Sequence, residues 1–281
     1  MSEPLLEFDA LDLVFVDREG GRFQAVKGLS FRIAAGEVVA VVGESGSGKS
    51  VSALTAMRLL PQPPASYPAG QVRWKGRDVL GMKESELLRM RGNELGMIFQ
   101  EPMTALNPVW TIGRQVGESL QLHTDLDASA RRQRVVELLR QVGIPNPAER
   151  FDQYPHELSG GMRQRVCIAM ALACDPDLLI ADEPTTALDV TIQAQILDLI
   201  RGLQRERGMA VLFITHDLGV VADLADRVVI MWRGEKVEEG PVAEIFDAPQ
   251  HPYTKGLLAC RPRLGQRRRR LPTIADFMQE G

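Results

Sequence analysis

Two stretches of this chain, more than a hundred residues apart, carry the residue types that hold phosphate. The first is "GESGSGKS" at 43–50, a G-x-x-x-x-G-K-S pattern. Its backbone amides can cradle phosphate oxygens, Lys49 can reach the β- and γ-phosphates, and Ser50 can ligate Mg²⁺. Ordinary residue frequencies give the pattern by chance in only about one chain in a hundred of this length. The second is "HELSGGMRQRV" at 156–166. Ser159 is a natural N-cap there, and Gly160 and Gly161 let backbone N–H groups approach a ligand closely. One chain with two anion cradles poses the question of what the second one faces.

Further reactive residues stand at the ends of apolar runs. After "LLIA" (178–181) come Asp182 and Glu183. An Asp here can hold Mg²⁺ through water and the adjacent Glu can polarise an attacking water; by themselves the pair could equally cap the next helix. After "AVLFIT" (210–215) comes His216, placed to hydrogen-bond a γ-phosphate. After "GMIF" (96–99) comes Gln100, a neutral side chain able to touch both a metal's water shell and a moving sub-domain. The other histidines, His123, His156 and His251, have no such placement and read as structural.

These residues need a scaffold that gathers strand ends on one edge. "EVVAVV" (37–42) and the three runs named above are continuous apolar segments, as expected of strands buried on both faces. "ALDLVF" places Leu11, Leu13 and Phe15 on one face by alternation, and "LSFRI" repeats the pattern. Between 103 and 162 the character turns helical. Val135, Leu138, Leu139 and Val142 recur at helical spacing, with Arg131, Arg132 and Arg134 on the other side, and Pro145 and Pro147 are expected to end that helix. The reading is an α/β fold: a mostly parallel sheet core formed by 1–102 and 163–240, an antiparallel N-terminal layer, and an inserted helical sub-domain at 103–162. Residues 241–281 read as a Pro- and Arg-rich extension. In open α/β sheets, ligands bind beyond the carboxyl ends of the strands, where these residues fall.

Bulk properties narrow the classes. At 281 residues the chain can bury a substantial core, and its 44% hydrophobic and 25% charged composition is that of a globular protein. A net charge of −4 gives no electrostatic case for wrapping nucleic acid. The run Arg267–Arg270 lacks interleaved aromatics and reads as a solvated tail. Cys167, Cys174 and Cys260 are too few and scattered for a disulfide framework or a zinc site. The start lacks the basic n-region and apolar core of a secretory signal, and no apolar run approaches the length of a spanning helix. Work at a membrane is therefore expected to proceed from the cytoplasmic side, through something else.

Taken together these motifs resemble the nucleotide-binding subunits of ABC transporters, over about residues 5 to 260. "GESGSGKS" looks like the Walker A loop (Gly43, Glu44, Ser45, Gly46, Ser47, Gly48, Lys49, Ser50) and "LLIADE" like the Walker B strand. Gln100 matches the Q-loop, "LSGGM" (158–162) the ABC signature, "ALD" (187–189) the D-loop with Asp189, and His216 the switch histidine. Phe15 falls where the family sets an aromatic ring against adenine, with Phe23 as the competing candidate. "GMIFQEPMTALNPVWTIGRQV" and "HPYTKGLLACRPRL" are similar to the ATPases of bacterial peptide, nickel and glutathione importers. Those proteins often continue into a cysteine-rich segment suited to an iron–sulfur cluster. Here "LPTIADFMQEG" has no cysteines, so no cluster is expected, and the chain could form half of a longer two-cassette protein.

The resemblance implies an ATPase using ATP and Mg²⁺, with Glu183, His216 and Gln100 catalytic and Ser50, Gln100 and Asp182 around the metal. It also implies an answer to the opening question: two such subunits pack head to tail, and Ser159, Gly160 and Gly161 face the γ-phosphate held by a partner. Expected partners are an identical or homologous ATPase subunit, transmembrane subunits reached through the segment after Gln100, and indirectly a solute-binding protein, all at the cytoplasmic face of a bacterial membrane. The alternative is a soluble ABC-type ATPase not coupled to transport; the absence of coiled-coil heptads and of a second cassette, together with residues 251–264, favours the importer.

Overall fold

A computed structural model describes residues 3–100, 105–186, 189–260 and 276–277. The arginine run at 267–270, residues 101–104 at the start of the segment expected to contact membrane subunits, and the first two residues of "ALD" lie outside the described residues.

The central element is a six-stranded sheet in the order β11 (Glu235–Pro241), β10 (Arg227–Trp232), β3 (Val38–Val42), β9 (Ala210–Thr215), β8 (Leu178–Asp182), β7 (Leu95–Ile98). All neighbours are parallel except β10 and β11, which pair antiparallel. The four continuous apolar runs are strands of this sheet, and period-2 geometry explains why they contain no polar alternation. Val39 and Val41, Leu178 and Ile180, Leu212 and Ile214 face one apolar core. Leu179 and Ala181, Val211 and Phe213 face a second core on the opposite side. A strand covered on both faces can place a polar residue cheaply only at its end.

The first core lies between this sheet and an antiparallel layer ordered β2 (Arg22–Ile33), β1 (Leu6–Val16), β5 (Gln71–Trp74), β6 (Arg77–Asp78), with β4 (Ala65–Ser66) beside β1. The simple alternation expected in β1 is interrupted. The register shifts between Phe8 and Leu11, and again on to Val14, with Ala10 in a left-handed conformation. Leu11 and Leu13 stay in the core, Val14 joins them as a buried residue, and Phe15 is half-buried at the strand's end.

α1 (Lys49–Ala56), after β3, and α2 (Glu84–Met90), before β7, add Ala53, Ala56, Leu87 and Met90 to this first core, while helices later in the chain cover the sheet's other face. Between β7 and β8 lie α3 (Ile112–His123), α4 (Ala128–Gln141), α5 (Pro147–Arg150) and α6 (Gly160–Ala171). Val135, Leu138, Leu139 and Val142 are buried as their spacing requires. Prolines do not end α4. Gly143, at φ +74°, carries a left-handed turn in which Ile144 N–H reaches Leu139 O and Gly143 N–H reaches Arg140 O. That paired 6→1 and 5→2 bonding closes the helix two residues before Pro145, and Pro147 instead opens α5 at its first turn.

α7 (Val190–Arg207), α8 (Leu218–Leu224), α9 (Val242–Asp247) and α10 (Pro252–Ala259) complete the chain's described helices. The last two fold back on the far side of β3 and β10, where Tyr253 is fully buried with Ala40, Val42, Val228 and Ile230.

Candidate functional site

The carboxyl ends of β3, β7, β8 and β9 meet at one edge of the sheet; His216, after β9, stands beside Glu183, and residues that follow β3, β7 and β8 line one cleft. Its lining includes Phe15, Phe23, Ser45, Gly46, Gly48, Lys49, Ser50, Gln100 and Glu183, around about 290 Å³ of free space. The loop 43–50 is narrow for steric reasons. A Cβ on Gly43 would sit 2.2 Å from Met231 O, and Gly48 takes φ +101° with Ala25 O only 2.7 Å from where a Cβ would be. Gly48 also caps α1 without a side-chain bond, which leaves the first-turn amides free to face an anion.

Lys49 is buried and donates to Gly43 O (2.8 Å) and Glu44 O (2.9 Å). Burial pushes its ammonium below the usual lysine value, while Glu183, Asp182 and Glu44 pull the other way. Ser50 Oγ donates to Asp182 Oδ1 at 2.9 Å, joining the first turn of α1 to the end of β8. Burial raises the Asp182 carboxyl above its ordinary value, and the Ser50 hydrogen bond opposes the rise. A hydroxyl and a carboxylate this close are hard oxygen donors of the kind Mg²⁺ selects.

Glu183 takes the left-handed conformation, φ +46°, with its N–H donating to Ile214 O at 2.9 Å. A single carboxylate oxygen, Oε2, then collects three neighbours: Gln100 Nε2 at 3.2 Å, Thr186 Oγ1 at 2.9 Å and His216 Nδ1 at 3.3 Å. The Glu183 side chain is 13% exposed and that of His216 63%. A strained backbone that aims a half-buried carboxylate at a cleft is a common arrangement at reactive sites. Thr186 had no signal in the sequence beyond lying three residues past Glu183.

The two aromatic candidates stand together. Phe15 and Phe23 are cross-strand partners between β1 and β2, and both line the cleft, Phe15 half-buried and Phe23 65% exposed.

Ser159, Gly160, Gly161 and Asp189 are not brought into this cleft. Ser159 caps α6, accepting from Met162 N–H at 3.3 Å, and it and Gly160 are exposed. Asp189 is exposed and caps α7, accepting from Ile192 N–H at 2.9 Å. The two helix starts are adjacent, since a Cβ on Gly161 would lie 3.1 Å from Ile192 Cγ2. One side chain connects α6 back to the reactive edge: the buried Gln164 donates to Pro184 O at 2.5 Å, in the turn that holds Glu183.

A P-loop on a parallel sheet, an acidic pair at the end of β8, one strand removed from β3, and a separate serine–glycine helix start define an ATPase of the cassette type. The chain belongs to the ABC transporter family, whose pattern it matches over residues 26–186. Residues 237–279 match the pattern of the oligopeptide/dipeptide transporter C-terminal region. The chain is 54% identical over 260 residues to the oligopeptide transport ATP-binding protein OppD of Bacillus subtilis, covering 92% of this chain and 72% of that one. It is 55% identical to the glutathione import ATP-binding protein GsiA of Pectobacterium atrosepticum, covering 91% of this chain and 42% of that one. Among solved structures it resembles the ATP-binding cassette MJ0796 in a dimeric post-hydrolysis state bound to ADP and Pi. There the TM-score is 0.75 at 28% identity, over 84% of this chain and 98% of that one. It is therefore an ATP-binding, ATP-hydrolysing protein of the ABC type.

Proposed function

We propose that this chain powers an ABC importer for peptides or a related small solute, closing with a second ATPase subunit around ATP and opening when ATP is hydrolysed. The observation that carries this reading is the separation of the two phosphate elements: Ser45, Gly46, Gly48, Lys49 and Ser50 line the cleft, whereas Ser159 and Gly160 stand exposed outside it. An exposed helix start is open to an anion from another molecule, and a two-fold arrangement of two cassettes supplies one. Ligation of one γ-phosphate from both sides makes ATP the contact that holds the pair closed. Hydrolysis removes that shared ligand, and the equilibrium shifts by the difference in affinity between the two states.

Within the cleft, the amides of 43–50 and Lys49 hold the phosphates, and Phe15, with Phe23 opposite, stacks on the base. Ser50, Asp182 and Gln100 are the residues that would hold Mg²⁺, which when bound neutralises charge developing on the phosphates. Glu183 accepts a proton from the water that attacks the γ-phosphorus as the bond to the leaving oxygen breaks. Gln100, Thr186 and His216 fix the orientation of that carboxylate, and the exposed His216 is free to donate to the γ-phosphate. Asp189 stiffens the start of α7 beside the signature.

The chain is a peripheral subunit at the cytoplasmic face of the cell membrane. Its attachment is through membrane-spanning subunits; among the described residues no helix is long and apolar enough to cross a membrane. The partner ATPase is an identical or homologous chain, and the solute reaches the assembly on a separate binding protein. The peptide class rests on the names of relatives and on residues 237–279, because no part of the cleft described here meets a transported solute.

The deciding experiment is to tag the chain, solubilise native membranes gently and identify what co-purifies. Two multi-span subunits, with or without a second ATPase, support the importer. Recovery from the soluble fraction alone overturns it in favour of a soluble ABC-type ATPase.

A further inference from the structure

The back of the phosphate loop is built from the C-terminal third of the chain. The end of β10 presses Met231 O against Gly43, leaving no room for a side chain. Gly234 N–H, in the turn after β10, donates to Ser47 O at 3.2 Å. The third contact is made by a side chain: Glu44 N–H donates to the Tyr253 hydroxyl at 3.0 Å.

That third contact bears on the lysine that reads phosphate. Gly43 C=O and Glu44 N–H belong to the same planar peptide unit. Lys49 Nζ donates to its oxygen at 2.8 Å, and Tyr253 accepts from its nitrogen. Rotation of this one peptide would move the Lys49 acceptor and turn the Glu44 amide toward the cleft. Tyr253 is well placed to prevent it. It is fully buried, at 0% exposure, and its ring stacks on Trp232 with centroids 5.6 Å apart. His251 fixes the start of its helix by accepting from Tyr253 N–H at 3.1 Å. Burial pushes the phenol up to about 12, so the hydroxyl stays neutral over the whole working range of pH.

We infer that Tyr253 is a positioning residue for ATP binding, and that through it the docked segment 251–259 and the nucleotide stabilise one another. The coupling is reciprocal by necessity: if the docked helix α10 favours the loop geometry that binds ATP, then ATP favours the docked helix. Tyr253 does not line the cleft, and it acts only through the Gly43–Glu44 peptide. The inference needs ATP binding by the cassette and is independent of which solute or membrane partner is served.

The test compares the full-length wild type with Tyr253→Phe, which keeps the ring and its stacking. Thr254→Val is the control. Thr254 is equally buried on the same helix, but its hydroxyl has no hydrogen-bond partner among the described residues, so replacing it removes no hydrogen bond to the loop. Loss of one neutral hydrogen bond predicts a roughly 3- to 10-fold rise in KM for ATP in Tyr253→Phe, with kcat held and Thr254→Val at the wild-type value. A rise in KM of the same size in Thr254→Val would mean that any change within α10 suffices, and would overturn the specific role of the Tyr253 hydroxyl. Hydrogen–deuterium exchange on the wild type gives a second reading that needs no variant. A non-hydrolysable ATP analogue should slow exchange over 252–259 as well as over 43–50. An unchanged KM in Tyr253→Phe, or exchange over 252–259 that ignores the nucleotide, overturns the inference.

Discussion

Glu183 Oε2 lies 3.2 Å from Gln100 Nε2, joining the end of β8 to the end of β7 across the cleft. Thr186 and His216 approach the same oxygen, so one carboxylate collects contacts from three segments of chain. Removing its charge should spare the fold and stop turnover. Glu183→Gln keeps the size and most of the hydrogen bonding, and it should bind ATP normally while losing on the order of 10²- to 10⁴-fold in kcat, the usual contribution of a general base. With ATP and Mg²⁺ it should accumulate as a closed dimer by light scattering. A variant that stays monomeric there would mean that the sandwich is wrong or that the true partner is a different chain.

Lys49 holds two loop carbonyls from a buried position and is the cleft's own lysine. Lys49→Ala should lose nucleotide binding outright, as read by isothermal titration with ATP. Intact ATP affinity would remove its phosphate role.

Gly160 offers a cleaner probe of the second element, because a Cβ built there meets nothing within 4 Å among the described residues. An alanine at the first turn of α6 should leave the melting temperature unchanged or slightly raised. If Gly160 faces a partner's phosphate, Gly160→Ala should nonetheless lower steady-state turnover, with single-chain ATP affinity unaffected. Full activity in that variant would show that this helix start is not read in trans.

Cys167 lies buried in α6, where desolvation pushes its thiol from the ordinary 9.0 up to about 12. The folded value lies above the unfolded one, so the stabilisation is fully present below about pH 9 and is lost as pH climbs toward 12. At pH 8 the thiol stays protonated in the folded chain. Iodoacetamide should therefore leave it unmodified until denaturant is added, which mass spectrometry of the alkylated peptides would show. Rapid labelling of the native protein would contradict the burial.

The residues at the reactive edge were legible in the sequence because each follows a strand that is buried on both faces. Such strands are uniformly apolar, so the polar residue that ends them stands out: Ser50 and its loop after β3, Gln100 after β7, Asp182 and Glu183 at β8, His216 after β9. The G-x-x-x-x-G-K-S spacing is similarly local, since it reflects a loop too tight for side chains at Gly43 and Gly48. What local pattern could not determine is which parts of the chain close in space. It ended α4 at the prolines, although a left-handed Gly143 closes that helix first. It gave Leu11, Leu13 and Phe15 one face, but β1 shifts register and leaves Phe15 opposite Phe23 at the rim of the cleft. It read 241–281 as an extension, whereas Tyr253 in that stretch is buried and hydrogen-bonded to the phosphate loop 209 residues away in sequence. Contacts of that kind depend on strand order and on how helices fold back across a sheet, and neither leaves a periodic trace in the sequence around the residues that meet.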